Sequence, residues 1–267
     1  MPKSLLTMET KTALVTGSTS GMGLGIATAL AQNGCNVIMC GSRSIEEASE
    51  AIDQVKSSAV QSVHYVRSDL KTEDGLVNLC KEVDTLCPEG VDILVNNAGM
   101  QHVTPVEHCT LAKWNEVVAI NLTAPFYLIS HFVPNMKRKG WGRLINVSSR
   151  MGLVASANKS PYCSTKHGLV GMTKAVALEV APHGITCNAI CPGWVDTPFV
   201  QAQVESVAKQ QNISIEDAKK RLFCDSQPTG KPVQVSQIAD LVMFLCSPGG
   251  DSMTGTSLVM DGGTIAK

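Results

Sequence analysis

The sequence has no block of basic charge. Its 22 lysines and arginines are matched by 23 aspartates and glutamates, for a net charge of −1. That balance gives no electrostatic case for a nucleic-acid partner. The one basic cluster, Lys137-Arg138-Lys139, reads as the solvated end of a helix. No apolar run approaches the ~20 residues that span a bilayer, so no membrane partner is expected. The N-terminal stretch MPKSLLTMETK lacks the apolar core of a secretion signal. No CxxC pair occurs among the ten cysteines, and their spacing fits no zinc pattern, so no metal is expected. Several, such as Cys40 and Cys191, sit in apolar runs. Buried, reduced thiols in a reducing, cytoplasmic setting are the expectation. No repeat, linker or low-complexity tract divides the chain. With 267 residues, 44% hydrophobic and 17% charged, it reads as one domain over 1–267.

What is present is alternation. Short, continuously apolar runs at 12–16, 36–40, 62–66, 92–96, 143–147, 185–190 and 257–260 read as strands covered on both faces. Helix-length patterns lie between them, near 21–33, 44–57, 72–86, 110–138, 161–181 and 235–247. Ser44 with Glu47 forms a capping box, and Gly184 marks a helix end. The pattern predicts an α/β fold: a single doubly wound Rossmann-type domain with a seven-stranded parallel sheet and right-handed crossovers. Residues 198–232 are helical in pattern and have no strand. Following the sixth strand, they fall at the carboxyl edge of the sheet and read as a lid over a ligand, the alternative being a peripheral helical excursion.

The first strand runs into Thr16-Gly17-Ser18-Thr19-Ser20-Gly21-Met22-Gly23, spaced GxxxGxG. Glycine allows the tight turn, and small residues let a pyrophosphate approach the helix N-terminus. Such a loop between a first strand and a helix points to a dinucleotide. At the end of the second strand the sequence is Cys40-Gly41-Ser42-Arg43, with no acid for a ribose 2′-hydroxyl. Arg43 is placed to pair with a 2′-phosphate, to stack on adenine or to face solvent, so NAD and NADP both stay open. Asp69, followed by Leu70, is placed either to accept from the adenine amino group or to cap the next turn.

Asn96-Asn97-Ala98-Gly99 leaves the fourth strand, and a serine at 149 precedes Tyr162-xxx-Lys166. Residues four apart share a helix face. An ammonium there favours the phenolate and lets tyrosine act as a base near neutral pH. In this order, TGSTSGMG, NNAG, Ser149 and YxxxK resemble the short-chain dehydrogenase/reductase family, over essentially the whole chain. The resemblance implies that Asn121, Ser149, Tyr162 and Lys166 are catalytic. Ser149 would hold the substrate oxygen, with Ser148 as its non-catalytic neighbour. Lys166 would also bind the nicotinamide ribose, and Asn121 would complete a proton relay through water. It implies a homotetramer built on the helices at 110–138 and 161–181 and the C-terminal segment. Cys191-Pro192-Gly193-Trp194-Val195-Asp196-Thr197 resembles the family motif in which backbone groups and a threonine hold the nicotinamide carboxamide.

The stretches NNAGMQH, GLVASANKSPY and NAICPGWVDTPFVQAQ resemble, within that family, bacterial-type D-3-hydroxybutyrate dehydrogenases. This implies that Gln101, Lys159 and Gln203 hold a small carboxylate beside Trp194, although an isolated lysine or glutamine is usually a surface residue. Met151 stands where those enzymes usually have histidine, and Thr264 where a tryptophan usually closes the pocket. Losing one donor to a buried carboxylate costs ~1.5–3 kcal/mol, roughly tenfold or more in affinity. The expected substrate is a hydroxy acid, with weaker 3-hydroxybutyrate recognition or a larger or less charged relative in its place. Two other readings stand beside it: an NADPH-dependent ketone or 3-oxoacyl reductase, and a cofactor-binding regulator without catalysis. The presence of Asn121, Ser149, Tyr162 and Lys166 together argues against the last.

Overall fold

β-Branched and apolar residues dominate the inner strands, where both faces pack. The seven strands are β1 (Thr12–Thr16), β2 (Asn36–Gly41), β3 (Val63–Arg67), β4 (Ile93–Asn96), β5 (Gly142–Val147), β6 (Ile185–Pro192) and β7 (Ser257–Met260). The edge strands β3 and β7, expected to be covered on both faces, are instead partly exposed. The computed structural model describes residue 8, residues 10–224 and residues 227–266. Parts of the N-terminal stretch, residues 225–226 of the 198–232 insertion and Lys267 therefore lie outside the described residues. All strand pairs are parallel, in the order β3-β2-β1-β4-β5-β6-β7. The order reverses beside β1, which opens a crevice at the carboxyl ends of β1 and β4.

Alternate residues of each strand face opposite layers. Ala13, Val15, Val37, Met39, Ile93 and Val95 pack with Ile26, Leu30, Ile52 and Val242 on one side. Leu14, Ile38, Leu94 and Leu144 pack with Leu79, Leu128, Phe132 and Met136 on the other. The first layer is built from α1 (Gly21–Gln32), α2 (Ile45–Ser58) and α9 (Val235–Cys246). The second is built from α3 (Glu73–Leu86), α5 (Ala124–Lys139) and α6 (Ser160–Val180). Ser44 and Glu47 form the expected capping box of α2, and Gly184, at φ +70°, closes the turn that follows α6. The nine described cysteines whose side chains are placed are all free, seven of them buried. Burial pushes the Cys40 and Cys187 thiols up to about 12, so they behave as inert core residues.

Three further details differ from the sequence reading. The helix expected over 110–138 is α4 (Leu111–Val118), a π-helical turn Ala119–Thr123, and then α5. Pro125 has no N–H to return to the Asn121 carbonyl, so the helical ladder shifts there. Second, Leu111–Lys139 as a whole is long and apolar enough to cross a membrane by length and composition. In this fold its apolar face, including Leu128, Ile129, Phe132 and Met136, packs on the sheet. Third, the basic end of α5 is not wholly solvated. Lys139 turns inward, its Nζ donating to the Gly90 carbonyl at 2.6 Å and to Asp92 Oδ1 at 2.9 Å.

The insertion folds into α7 (Pro198–Gln211), α8 (Ile215–Lys219) and a π-helical turn Lys220–Cys224. It has its own small core of Val200, Val204, Ala208, Ala218 and Phe223, against which Trp194 packs.

A chain of polar contacts fixes α6 to the end of β5. Asn96 Nδ2 donates to Asn146 Oδ1 at 2.9 Å, and Asn146 Nδ2 donates to Thr173 Oγ1 at 2.9 Å. Asn146 is fully buried. Replacing it with Ala leaves the Asn96 amide and Thr173 without these partners. We expect Asn146→Ala to lose about 2–3 kcal/mol in denaturant unfolding; a loss within the ~0.5 kcal/mol typical of a surface change would contradict this account.

Candidate active site

Two connected cavities lie along the carboxyl edge of the sheet. The larger, of 470 Å³, is lined by Gly17, Thr19, Ser20, Gly21, Met22, Arg43, Asp69, Leu70, Asn97, Ala98, Gly99, Tyr162, Lys166 and Thr197. The smaller, of 100 Å³, is lined by Gln101, Ser149, Met151, Lys159, Tyr162, Trp194 and Gln203. Every substrate residue named from the sequence thus meets in one pocket. Pro192, Gly193 and Val195 line this pocket and not the larger cleft. Met22, Gln101, Ser148, Tyr162, Thr197 and Phe199 border both, so the two cavities meet at the tyrosine.

The larger cleft has the shape a dinucleotide needs. Gly17 has φ +63°, and a Cβ there would lie 2.9 Å from Ala98 Cα. Gly23 lines neither cavity but sits beneath the loop, where a Cβ would lie 2.2 Å from the Gly17 carbonyl oxygen. The loop therefore lies flat on the exit of β4 and presents backbone rather than side chain. Ser20, the N-cap of α1, makes no side-chain cap bond, so the first amides of the helix are left for an anion. Thr16 Oγ1 accepts from the Asn97 and Ala98 amides, both at 3.0 Å, and Asn97 Nδ2 donates to the Thr16 carbonyl at 2.9 Å. The Asn97 Oδ1 is buried without a partner among the described residues. The residues present fit a bound dinucleotide.

At the far end of the cleft Tyr65 Oη donates to the Arg43 carbonyl at 2.7 Å and fixes that loop, leaving the Arg43 side chain exposed. Asp69 does not cap α3; that cap is Thr72, which accepts from the Gly75 amide. Asp69 Oδ1 accepts from the Lys71 amide at 3.1 Å and so caps the turn ahead of α3, as one of its two readings expected; Asp69 also lines the cleft.

The chemical end is held from beneath. Lys166, 4% exposed, donates from Nζ to the Val147 carbonyl at 2.8 Å. Ser148 Oγ donates to the Lys166 carbonyl at 3.1 Å, so Ser148 is committed to the scaffold. Ser149 Oγ accepts from the Met151 amide at 3.1 Å and stands beside Tyr162. Asn121, in the π-helical turn, accepts from the Met100 amide and donates to its carbonyl, both at 2.9 Å, and also donates to Thr165 Oγ1. Both amide atoms of Asn121 are thus engaged by the loop that follows β4. Thr197 Oγ1 donates to the Val195 carbonyl and caps α7.

The electrostatics modify the sequence reading. Burial pushes the Tyr162 phenol up, opposed by its Ser149 hydrogen bond and the Arg150 charge; Lys166 is not the group that lowers it here. Burial also draws Lys166 down from 10.5 to about 8, which weakens any ammonium effect above that pH. Lys159 is lowered first by burial and then by the Arg150 charge.

Three residues of the small pocket escaped the sequence reading: Arg150, Phe199 and Val200. Arg150 directly follows the paired serines, and that adjacency was its only signal. Thr264, marked above as a departure, accepts from Arg150 Nη1 at 3.0 Å.

A doubly wound parallel sheet, a glycine loop at its switch point and a serine–tyrosine–lysine cluster define a dinucleotide-dependent oxidoreductase. The chain belongs to the short-chain dehydrogenase family, whose model matches residues 11–208. It is 46% identical over 257 residues to a D-beta-hydroxybutyrate dehydrogenase of Cupriavidus necator, covering 96% of this chain and 98% of the relative. It is 41% identical to one of Rhizobium meliloti, covering 97% and 100%. The crystal structure of L-sorbose reductase from Gluconobacter frateurii, complexed with NADPH and L-sorbose, superposes with a TM-score of 0.93 at 26% identity, over 98% of this chain and 99% of that one.

Burying the Lys166 ammonium has a stability cost with a definite sign. Between about pH 8 and 10.5 the unfolded chain keeps a proton that the folded chain has released, so stability rises with pH through this window. At pH 7 the cost is roughly 3 kcal/mol, at 1.36 kcal/mol per unit, offset by ~1 kcal/mol from the Val147 hydrogen bond. We expect cofactor-free Lys166→Met to unfold at or above the parent's temperature at pH 7, while losing turnover. Its advantage shrinks as the pH rises from 8 towards 10.5. Calorimetry across that range checks this, and an advantage that grows with pH would overturn it.

Proposed function

We propose that this oxidoreductase interconverts a short D-3-hydroxy acid and its ketone, D-3-hydroxybutyrate or a close relative. The observation that carries the reading is Lys159 in the 100 Å³ pocket with Ser149 and Tyr162, with no acidic partner within ion-pair distance among the described residues. When bound, the nicotinamide supplies the hydride acceptor. Ser149 Oγ holds the substrate hydroxyl, and Tyr162 Oη takes its proton. Lys166 positions the cofactor ribose, and Asn121, anchored to Met100, orders the proton path behind it. Gln101, Lys159 and Gln203 hold the carboxylate over Trp194, and Met151 supplies an apolar wall. Pro192, Gly193, Val195 and Thr197 face the carboxamide, with the glycine loop, Arg43, Asp69, Leu70 and Asn97–Gly99 along the rest of the dinucleotide. The segment 198–232 acts as the lid, with Phe199 at the mouth of both cavities.

The enzyme is expected to oxidise D-3-hydroxybutyrate in preference to its L enantiomer and to neutral secondary alcohols. Good turnover of neutral alcohols with none of the D acid would sink the acid reading. Tyr162→Phe abolishes turnover and leaves cofactor affinity within about threefold; surviving activity would refute the mechanism.

A second reading, an NADPH-dependent ketone or 3-oxoacyl reductase, is favoured by one feature. Arg43 and Lys71 border the cleft, and the Cys40–Arg43 stretch at the end of β2 carries no acid. Titration with NADH and NADPH separates the two: a preference of tenfold or more for NADPH supports the reductase.

We further infer a homotetramer, because Leu111 on α4, Phe126 on α5 and Leu178 on α6 leave large apolar side chains exposed. Sizing in solution is expected to give four copies; a monomer at micromolar concentration would exclude it. We also infer a cytoplasmic location, because the described cysteines with placed side chains are free.

A further inference from the structure

Arg150 is an arginine in an unusual place. It is 9% exposed, yet it lines the small pocket with Ser149, Lys159, Tyr162 and Trp194. Its Nη1 donates to Thr264 Oγ1 at 3.0 Å. A guanidinium has five N–H donors, so a single hydroxyl leaves most of its capacity open. No carboxylate lies within ion-pair distance of Arg150 or Lys159 among the described residues. Asp261 is the acid whose charge Arg150 feels. Its oxygens already accept from the Gly263, Thr264 and Ile265 amides. The guanidinium carbon lies 5.5 Å from the Trp194 ring centroid and Lys159 Nζ lies 5.6 Å from it. A buried guanidinium and a half-buried ammonium thus share one aromatic platform and repel each other. Such charges are costly unless an anion joins them.

We propose that Arg150 is a specificity-determining residue whose guanidinium, together with the Lys159 ammonium, receives the carboxylate of the substrate. The proposal rests on the hydroxy-acid reading above. Arginine offers paired, directional N–H groups that match a carboxylate, whereas Lys159 is a point charge on a flexible stem. Thr264 holds one edge of the guanidinium through its hydroxyl, so the fork is oriented before the acid arrives. Met151, the apolar neighbour on the same turn, gives no donor of its own, and Arg150 restores the one that is missing there.

The test compares D-3-hydroxybutyrate with butan-2-ol, which carries the same reacting alcohol and no carboxylate. For Arg150→Gln, the ratio of kcat/KM for the acid to that for the alcohol should fall by about tenfold through KM for the acid. That fall comes on top of any change in kcat that both substrates share once the charge near Tyr162 is gone. Arg150→Lys should recover part of the loss. An equal fall for both substrates, as a purely structural role would give, overturns the proposal, as does an unchanged KM for the acid. If the parent enzyme itself prefers butan-2-ol, the hydroxy-acid reading fails first and takes this inference with it. Should Arg150→Gln no longer bind NADH, Thr264→Val, which releases the guanidinium from its tether, must lower the same ratio; an unchanged ratio there overturns the proposal.

Discussion

Four consecutive residues at the end of β5 each reach α6, and the site depends on that seam. Asn146 bonds Thr173, the Val147 carbonyl accepts from Lys166 Nζ, Ser148 Oγ donates to the Lys166 carbonyl, and Ser149 stands against Tyr162. Successive residues leaving a strand point to opposite faces. A seam of four neighbours therefore needs the helix to cross very close to the strand end. Gly152 permits this, since a Cβ there would lie 2.7 Å from the Lys166 carbonyl oxygen. The geometry of tyrosine, serine and lysine is thus a consequence of backbone approach, and not of three side chains finding one another independently.

The second support comes from the opposite wall. A regular helix over 111–139 would keep its hydrogen-bond ladder and send Asn121 around the cylinder in step with its neighbours. Pro125 breaks that ladder, and the π-helical turn that absorbs the break carries Asn121 to the backbone of Met100. There it ties the exit of β4 to α6 through Thr165. Gly99 packs tightly against the same side chain, since a Cβ there would lie 3.0 Å from Asn121 Oδ1. Both walls of the site are therefore set by places where regular secondary structure is interrupted.

This explains what could and could not be read from the sequence. Strands such as TALVT and NVIMC were legible because parallel strands buried on both faces leave a continuous apolar run, and their ends carried the motifs. The capping box at Ser44 and the glycine at 184 were legible because local chemistry dictates them. The π-helical turn was not, since its cause, one missing N–H at Pro125, is weak against a long helical pattern. Arg150 escaped for a different reason. An arginine after two serines reads as solvent-facing, and only the fold turns it inwards beneath Trp194. Asp69 was open between two roles, and the bond its Oδ1 accepts from the Lys71 amide fits the turn cap, while Thr72 caps α3 itself.

The remaining question is how the environment of the half-buried Tyr162 bears on the base role proposed for it. Burial disfavours charge on either partner, raising the phenol and lowering Lys166 together. Both shifts push the pair towards its neutral form, opposite to what proton abstraction from an alcohol requires. The i,i+4 spacing of Tyr162 and Lys166 therefore cannot do the work alone. What the chain supplies against burial is the Ser149 hydrogen bond and the charge of Arg150. Both stand on the substrate side of the ring, while Lys166 lies 5.7 Å from the ring centroid. The hydroxyl and the charge that act on the phenol come from residues that line the small pocket, so the groups that oppose burial of the phenol are ones that a pocket ligand meets.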